Sequence, residues 1–276
     1  MSNFSETKPS SAKRRTIADL FDLTGRTAWV TGASGYLGAA LAEALAEAGA
    51  RVVVSSRRIE AAREAAERLP DPQRRGHLAV AMDHLDEVSI EAAVQEVLTR
   101  TEGIDILVNN GHAALGADWT SVTGEQFSDH LRNLTGYFLL SRHVRDQAVQ
   151  RARPASIVLL GSMYGVVGSY PDAYAGICAS SPVAYHALKG GIVHMTRHLA
   201  VYWAGDQVRV NCLSPGPFPN QDSAPPELVE RLIERSPMRR MGSPEELKGA
   251  VVYLASDASS YVTGQNLIVD GGWTAW

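Results

Sequence analysis

Tyr185 and Lys189 stand four apart in the run Ser181-Pro182-Val183-Ala184-Tyr185-His186-Ala187-Leu188-Lys189-Gly190-Gly191. Proline is tolerated in the first turn of a helix, and the apolar pattern continues through Ile192, Val193, Met195 and Leu199, so the run predicts a helix starting near Pro182. On such a helix the two side chains share a face. A free phenol, with a pKa of about 10, is a poor proton carrier at neutral pH. An ammonium beside it favours the phenolate and pulls that value down, towards general acid–base work. Alone, a tyrosine and lysine at this spacing are usually an accidental surface pair. Their company decides the reading.

A second cluster, Thr31-Gly32-Ala33-Ser34-Gly35-Tyr36-Leu37-Gly38, lies between a short apolar strand, Thr27–Thr31, and an alanine-rich helix from Leu37 to Ala48. In that context a glycine-rich turn lets the backbone approach a pyrophosphate, which the helix N-terminus then holds through free N–H groups. Gly32, Ser34, Gly35, Tyr36, Leu37 and Gly38 are therefore candidate dinucleotide contacts. The next strand ends Val54-Ser55-Ser56-Arg57-Arg58, with no acid to accept from a ribose 2′-hydroxyl. Hydroxyls and a guanidinium suit a 2′-phosphate instead, so Ser56 and Arg57 favour NADP(H) over NAD(H), which the turn also admits.

These residues sit in an alternating pattern. Strands are expected at Arg51 to Ser55, His77 to Met82, Ile104 to Asn109, Ala155 to Gly161, Gln207 to Cys212 and Asn266 to Val269, besides the first. Helices are expected from Glu60 to Leu69, Ser89 to Thr101, Phe127 to Arg151, Pro182 to Trp203, Pro225 to Ile233 and Pro244 to Ser256. Strands apolar throughout, joined by helices, predict an α/β fold: a doubly wound parallel sheet of about seven strands, covered on both faces. The chain of 276 residues, 45% hydrophobic, reads as a flexible arm over residues 1–22 and one domain over 23–276. Lys13-Arg14-Arg15 belongs to that arm as a solvated triplet. A net charge of −4 points to neither nucleic acid nor an anionic membrane. No apolar run reaches the roughly 18 residues of a membrane span. Two cysteines, Cys178 and Cys212, make no disulfide framework and suit the cytoplasm.

With these pieces together, the sequence resembles the single-domain short-chain dehydrogenases/reductases, a Rossmann-fold family, from about Leu23 to Gly272. The resemblance implies a catalytic tetrad of Asn133, Ser162, Tyr185 and Lys189, from Asn133-Leu134-Thr135-Gly136, Gly161-Ser162 and the tyrosine helix. Asn109-Asn110-Gly111 resembles the family's Asn-Asn-Ala-Gly. Asp83, followed by His84, matches the aspartate that touches adenine. Asn211 with Pro215-Gly216, and Phe218 beyond, matches the stretch that runs past the nicotinamide. The implied reaction interconverts a secondary alcohol and a ketone by hydride transfer. Tyr185 gives its proton to the developing alkoxide, Ser162 donates to the same oxygen, Lys189 also holds the nicotinamide ribose, and Asn133 keeps a water linking Lys189 to solvent.

Three departures stand out. Tyr36 occupies a usual glycine position, a spacing more like the sugar-nucleotide epimerases. His112 stands where the Asn-Asn-Ala-Gly glycine is expected. Ser162 and Tyr185 are separated by 22 residues where about a dozen is usual, so an extra loop within Ser169 to Ser181 flanks the site. That insertion resembles those of short-chain dehydrogenases of bacterial sugar metabolism. Two loops frame the substrate, Met163 to Ser181 and Pro217-Phe218-Pro219-Asn220-Gln221-Asp222-Ser223, through Ser162, Tyr164, Tyr174, Tyr185, Phe218 and Asn220. Aromatics mixed with short polar groups suit a hydroxyl-rich molecule: a sugar, sugar acid or polyol. The alternatives are a 3-oxoacyl or other carbonyl reductase and an epimerase- or dehydratase-like enzyme that retains its NAD. A regulator that had lost the chemistry would show a broken tetrad. His186, His194 and His198 lack a His-Glu-x-x-His pattern, and no catalytic metal is expected. Trp273 and Trp276, on a terminus that would otherwise fray, point to an interface. A homo-oligomer is expected, a tetramer as the resemblance implies, or else a dimer.

Overall fold

The computed structural model describes residues 14–220 and 224–275. In chain order the elements are α1 (Ile17–Phe21), β1 (Thr27–Thr31), α2 (Tyr36–Glu47), β2 (Arg51–Ser56), α3 (Ile59–Arg68), β3 (Leu78–Ala81), α4 (Glu87–Arg100), β4 (Ile106–Asn109), α5 (Gly124–Gln150), β5 (Ala155–Leu160), α6 (Pro171–Tyr174), α7 (Val183–Trp203), β6 (Val208–Pro215), α8 (Pro226–Arg235), α9 (Lys248–Ala255) and β7 (Asn266–Val269). The strands form one parallel sheet in the order β3-β2-β1-β4-β5-β6-β7.

Alternation along the strands divides the core. Ala28, Val30, Val52 and Val54 join α2, α3 and α9 on one face, while Trp29 and Val53 join α4, α5 and α7 on the other. Both faces are apolar because both are covered, which is why the strands read as continuous hydrophobic runs. The strand order reverses between β1 and β4, so the crevice outside their carboxyl ends is where such a sheet binds ligands.

Two expectations change. The arm is not irregular through residue 22: Thr16 and Asp19 cap α1 reciprocally, and Arg15 and Arg26 both pair with Asp257. Those local bonds were hidden by a polar composition. Residues 1–13, including Lys13, lie outside the described residues. Trp273 is not an exposed interface residue either. It is 2% exposed, packed with Met163, Ala173 and Leu232, its ring edge against Tyr170. The insertion provides an internal partner for it. Trp276 lies outside the described residues.

Candidate active site

Ser162 stands two residues past the end of β5, and its hydroxyl accepts from the Tyr164 amide at 3.2 Å, fixing the sharp turn that leaves the strand. Tyr185 and Lys189 lie one turn apart near the start of α7, whose buried face also carries Ala184, Leu188, Ile192 and Val193. Ser162 is 6% exposed and Lys189 5%. Both line a cavity of about 260 Å³ with Tyr185, Leu37, Asn110, His112, Pro215, Gly216 and Phe218. Asn133, on α5, is 1% exposed behind them.

The electrostatics differ from the expectation. Burial pushes the Tyr185 phenol above its ordinary value and Tyr174 adds to this, while a hydrogen bond with Ser162 opposes. Lys189 lies one turn further along α7. Its ammonium donates to the Leu160 carbonyl at 2.7 Å and stands 5.5 Å from the Tyr185 ring centre. Burial lowers Lys189 itself to about 8.

The Asn133 side chain is fully engaged within the protein. Its Oδ1 accepts from the Ala113 amide and from His84 Nε2, both at 2.8 Å. Its Nδ2 donates to the carbonyls of Ala113 at 3.2 Å and His130 at 2.8 Å. Two acceptor sites and two donor hydrogens are its full capacity. Asn133 is thus a clamp on the segment after β4.

The glycine turn is shaped for close approach. Gly32 has φ +64°, and a Cβ there would come within 2.9 Å of Gly111 Cα; one on Gly38 would meet the Gly32 carbonyl at 2.3 Å. Gly35 is the N-cap of α2 and brings no side chain to cap it, so the first-turn amides are open to an anion. This cradle fits a pyrophosphate. Asn110 fastens it, donating to the carbonyls of Thr31 and Gly32 at 3.0 and 3.2 Å, and Gly111 N–H donates to Thr31 Oγ1 at 2.7 Å. A second cavity, of about 100 Å³, continues the cleft past Thr31, Gly32, Ser55, Ser56, Arg57, Met82, His84 and His112. Ser55, whose hydroxyl accepts from Trp29 Nε1 at 2.9 Å, shares this lining with Ser56 and Arg57.

Not every expected contact reaches the cleft. Asp83 lines neither cavity; its Oδ1 accepts from the Leu85 amide at 3.0 Å, in the turn after β3. Tyr36 lines a separate groove between α2 and α3, with Ala65 and Arg68, which explains how the turn accepts a bulky residue where glycine is usual. Asn211 ties Val262 and Gln265 to β6.

Of the expected substrate-side residues, Ser162, Tyr185 and Phe218 line the larger cavity, whereas Tyr164, Tyr174 and Asn220 line neither. The Tyr164 and Tyr174 hydroxyls are 2.9 Å apart, Tyr164 stacks on His186 at 4.6 Å, and His186 Nε2 lies 3.1 Å from Ser181 Oγ. Tyr174 belongs to α6, the helix hidden in the insertion. Arg231 of α8 donates to the carbonyls of Asp172 and Ala175 at 3.0 and 2.7 Å, and Arg235 pairs with Asp172. Asn220 opens the second loop, its carbonyl accepting from Ala224 N at 2.9 Å; Gln221, Asp222 and Ser223 lie outside the described residues.

Sequence reasoning missed His130. It lies one turn before Asn133 on α5, so their spacing was the available signal. Its ring meets His112 at 5.2 Å, and His112 meets Tyr185 edge-on at 5.5 Å. Among the described residues no three His, Cys, Asp or Glu side chains are placed to hold a metal. His198 packs on Tyr202 at 4.5 Å.

Comparison with known proteins bears on the family and the fold. The family model described as Enoyl-(Acyl carrier protein) reductase matches residues 32–274. Galactitol 2-dehydrogenase (L-tagatose-forming) of Cereibacter sphaeroides is 36% identical, covering 93% of this chain and 98% of its own. The crystal structure of a gluconate 5-dehydrogenase from Burkholderia cenocepacia, in complex with NADP and tartrate, is 31% identical, with a TM-score of 0.83 over 94% of this chain and 99% of that one. A short-chain dehydrogenase from Leptospira borgpetersenii with bound NAD+ is 29% identical, with a TM-score of 0.81 over 97% and 99% of the two chains.

Proposed function

The chain belongs to the short-chain dehydrogenase/reductase family, and from that premise we propose that its substrate is a sugar, sugar acid or polyol. It is an NAD(P)-dependent oxidoreductase that interconverts a secondary alcohol and a ketone. The observation that carries the substrate reading is the Tyr164–Tyr174 hydroxyl pair at 2.9 Å beside Tyr185. Paired phenols and His186 offer donors and acceptors on an aromatic wall, which bonds a substrate hydroxyl and penalises an analogue that lacks one. A relative that acts on galactitol supports the same class.

The tetrad supplies the proton chemistry in this proposal. The dinucleotide gives or accepts the hydride. Because burial raises Tyr185, the phenol is the form present at neutral pH, ready to donate to an alkoxide as a ketone is reduced. Ser162 donates to the same oxygen and holds it in place. Lys189, fixed by the Leu160 carbonyl, keeps a positive charge near the buried ring and would hold the nicotinamide ribose of a bound dinucleotide. Asn133 acts by holding Ala113 and the segment around it. Ser56 and Arg57, at the acid-free end of β2, support NADP(H) as the preferred cofactor.

A panel of polyols, sugar acids, hydrophobic ketones and short 3-oxoacyl thioesters tests this, followed by net change in added cofactor. Preference for sugar-derived alcohols or ketones is expected. Preference for hydrophobic ketones or the thioesters would sink the substrate assignment, and turnover without net cofactor change would favour an epimerase or dehydratase. We further propose a homo-oligomer, a tetramer, in the cytoplasm. Val201 and Tyr202, 77% and 70% exposed on α7, support association; a monomer by light scattering at micromolar concentration would contradict it.

A further inference from the structure

A ligand that reaches from Arg57 to Tyr185 has to pass His112. Among the described residues it alone lines both cavities of the cleft. It is also firmly held. Asn133 grips the next residue, Ala113, through both amide and carbonyl, and the imidazole is wedged edge-on against Tyr185 and His130.

The surroundings are cationic or able to become so. Lys189 faces His112 from α7, with the Tyr185 phenol; His130 faces it from α5; His84 comes from the turn after β3; Arg57 shares the smaller cavity. Among the described residues neither cavity is lined by a carboxylate. His130 Nε2 is buried without a hydrogen-bond partner, in a residue 4% exposed. With no anion present, burial first and then Lys189, His130 and His84 push His112 down to about 3, so it is neutral. A pyrophosphate would bring to this cluster the negative charge it lacks, and opposite charge close by favours an imidazolium.

We propose that His112 holds the middle of the bound dinucleotide, doing so as an imidazolium formed by taking one proton from solvent on binding. This rests on the dinucleotide reading above and goes beyond it, since it adds a contact and couples binding to pH. A group that gains a proton on binding strengthens the complex at low pH, and that gain is lost as pH rises through its value in the complex.

Titration calorimetry with NADH, whose bridging phosphates do not titrate near neutrality, tests it in buffers of different ionisation enthalpy. At pH 6.5 Lys189, at about 8, is already charged and contributes little uptake. Wild type should take up roughly half to one proton per NADH, with affinity falling by up to about tenfold per pH unit below the imidazolium's value in the complex and levelling off above it. His112→Gln keeps a polar side chain but cannot take the proton, so its uptake should vanish and its pH dependence flatten. His112→Gly, checked by circular dichroism, replaces it if the glutamine variant misfolds. NADH binding without uptake in wild type, or uptake unchanged in both variants, overturns the proposal. Failure to bind either NADH or NADPH would instead overturn the dinucleotide reading, and this with it.

Discussion

The two walls of the cleft are built differently. The wall carrying Ser162, Lys189 and Asn133 is at most 6% exposed and rooted in β5, α7 and α5, which pack into one of the two large core clusters. The outer wall, Tyr164 and Tyr174 near Tyr185, lines neither cavity and packs against the insertion. Its supports are a small cluster around Met163, Ala173, Leu232 and Trp273, and the Arg231 and Arg235 ties to α6. Asp172, at the centre of those ties, has a side chain 73% exposed. Exposed ion pairs contribute about 0–1 kcal/mol each, so this wall can be remade without disturbing the sheet. Reaction type and substrate choice are therefore separable in the architecture.

The largest expected effect lies on the deep wall. Tyr185→Phe should cut turnover by about 10²- to 10⁴-fold while cofactor binding persists, since only the proton carrier is removed. A variant keeping more than about a tenth of the wild-type rate would break the contrast by showing the deep wall dispensable. Next comes Arg57, at the shallow end of the cofactor cleft. Arg57→Ala should weaken NADPH by about tenfold or more, the worth of a charge-assisted phosphate contact, and leave NADH nearly unchanged. Equal effects would make Arg57 a surface residue only. The smallest effect belongs to the outer wall. Arg235→Ala should raise KM for the best substrate about two- to fivefold with kcat intact, as loss of one exposed pair allows. A matching fall in kcat would mean the walls are coupled.

The deep wall was also the legible one. Tyr185, Lys189 and the glycine turn declare themselves because helical spacing and backbone conformation are local properties of sequence. β1 and β7 fall at their expected limits for the same reason, as short apolar runs between turn residues. What stayed hidden depends on distant partners. The roles of Asn133 and Trp273 are set by Ala113 and Tyr170, which no spacing rule connects to them. The charge on Lys189 is governed by how deeply it is buried, and burial is a property of the whole fold. Even α1 and α6 were missed because each is only four or five residues, held by a capping box or by α8 rather than by its own periodicity.

The contact between Tyr170 and Trp273 orders events in time. The two are about a hundred positions apart, and β6, α8, α9 and β7 all lie between them. On a ribosome adding about 5–20 residues per second, the nascent chain can pair β1 through β5 seconds before Trp273 emerges. The nucleotide-facing half is thus complete while the insertion still lacks its anchor. A premature stop between β7 and Trp273 would leave a sheet-containing protein with a normal cofactor cleft and a disorganised substrate wall.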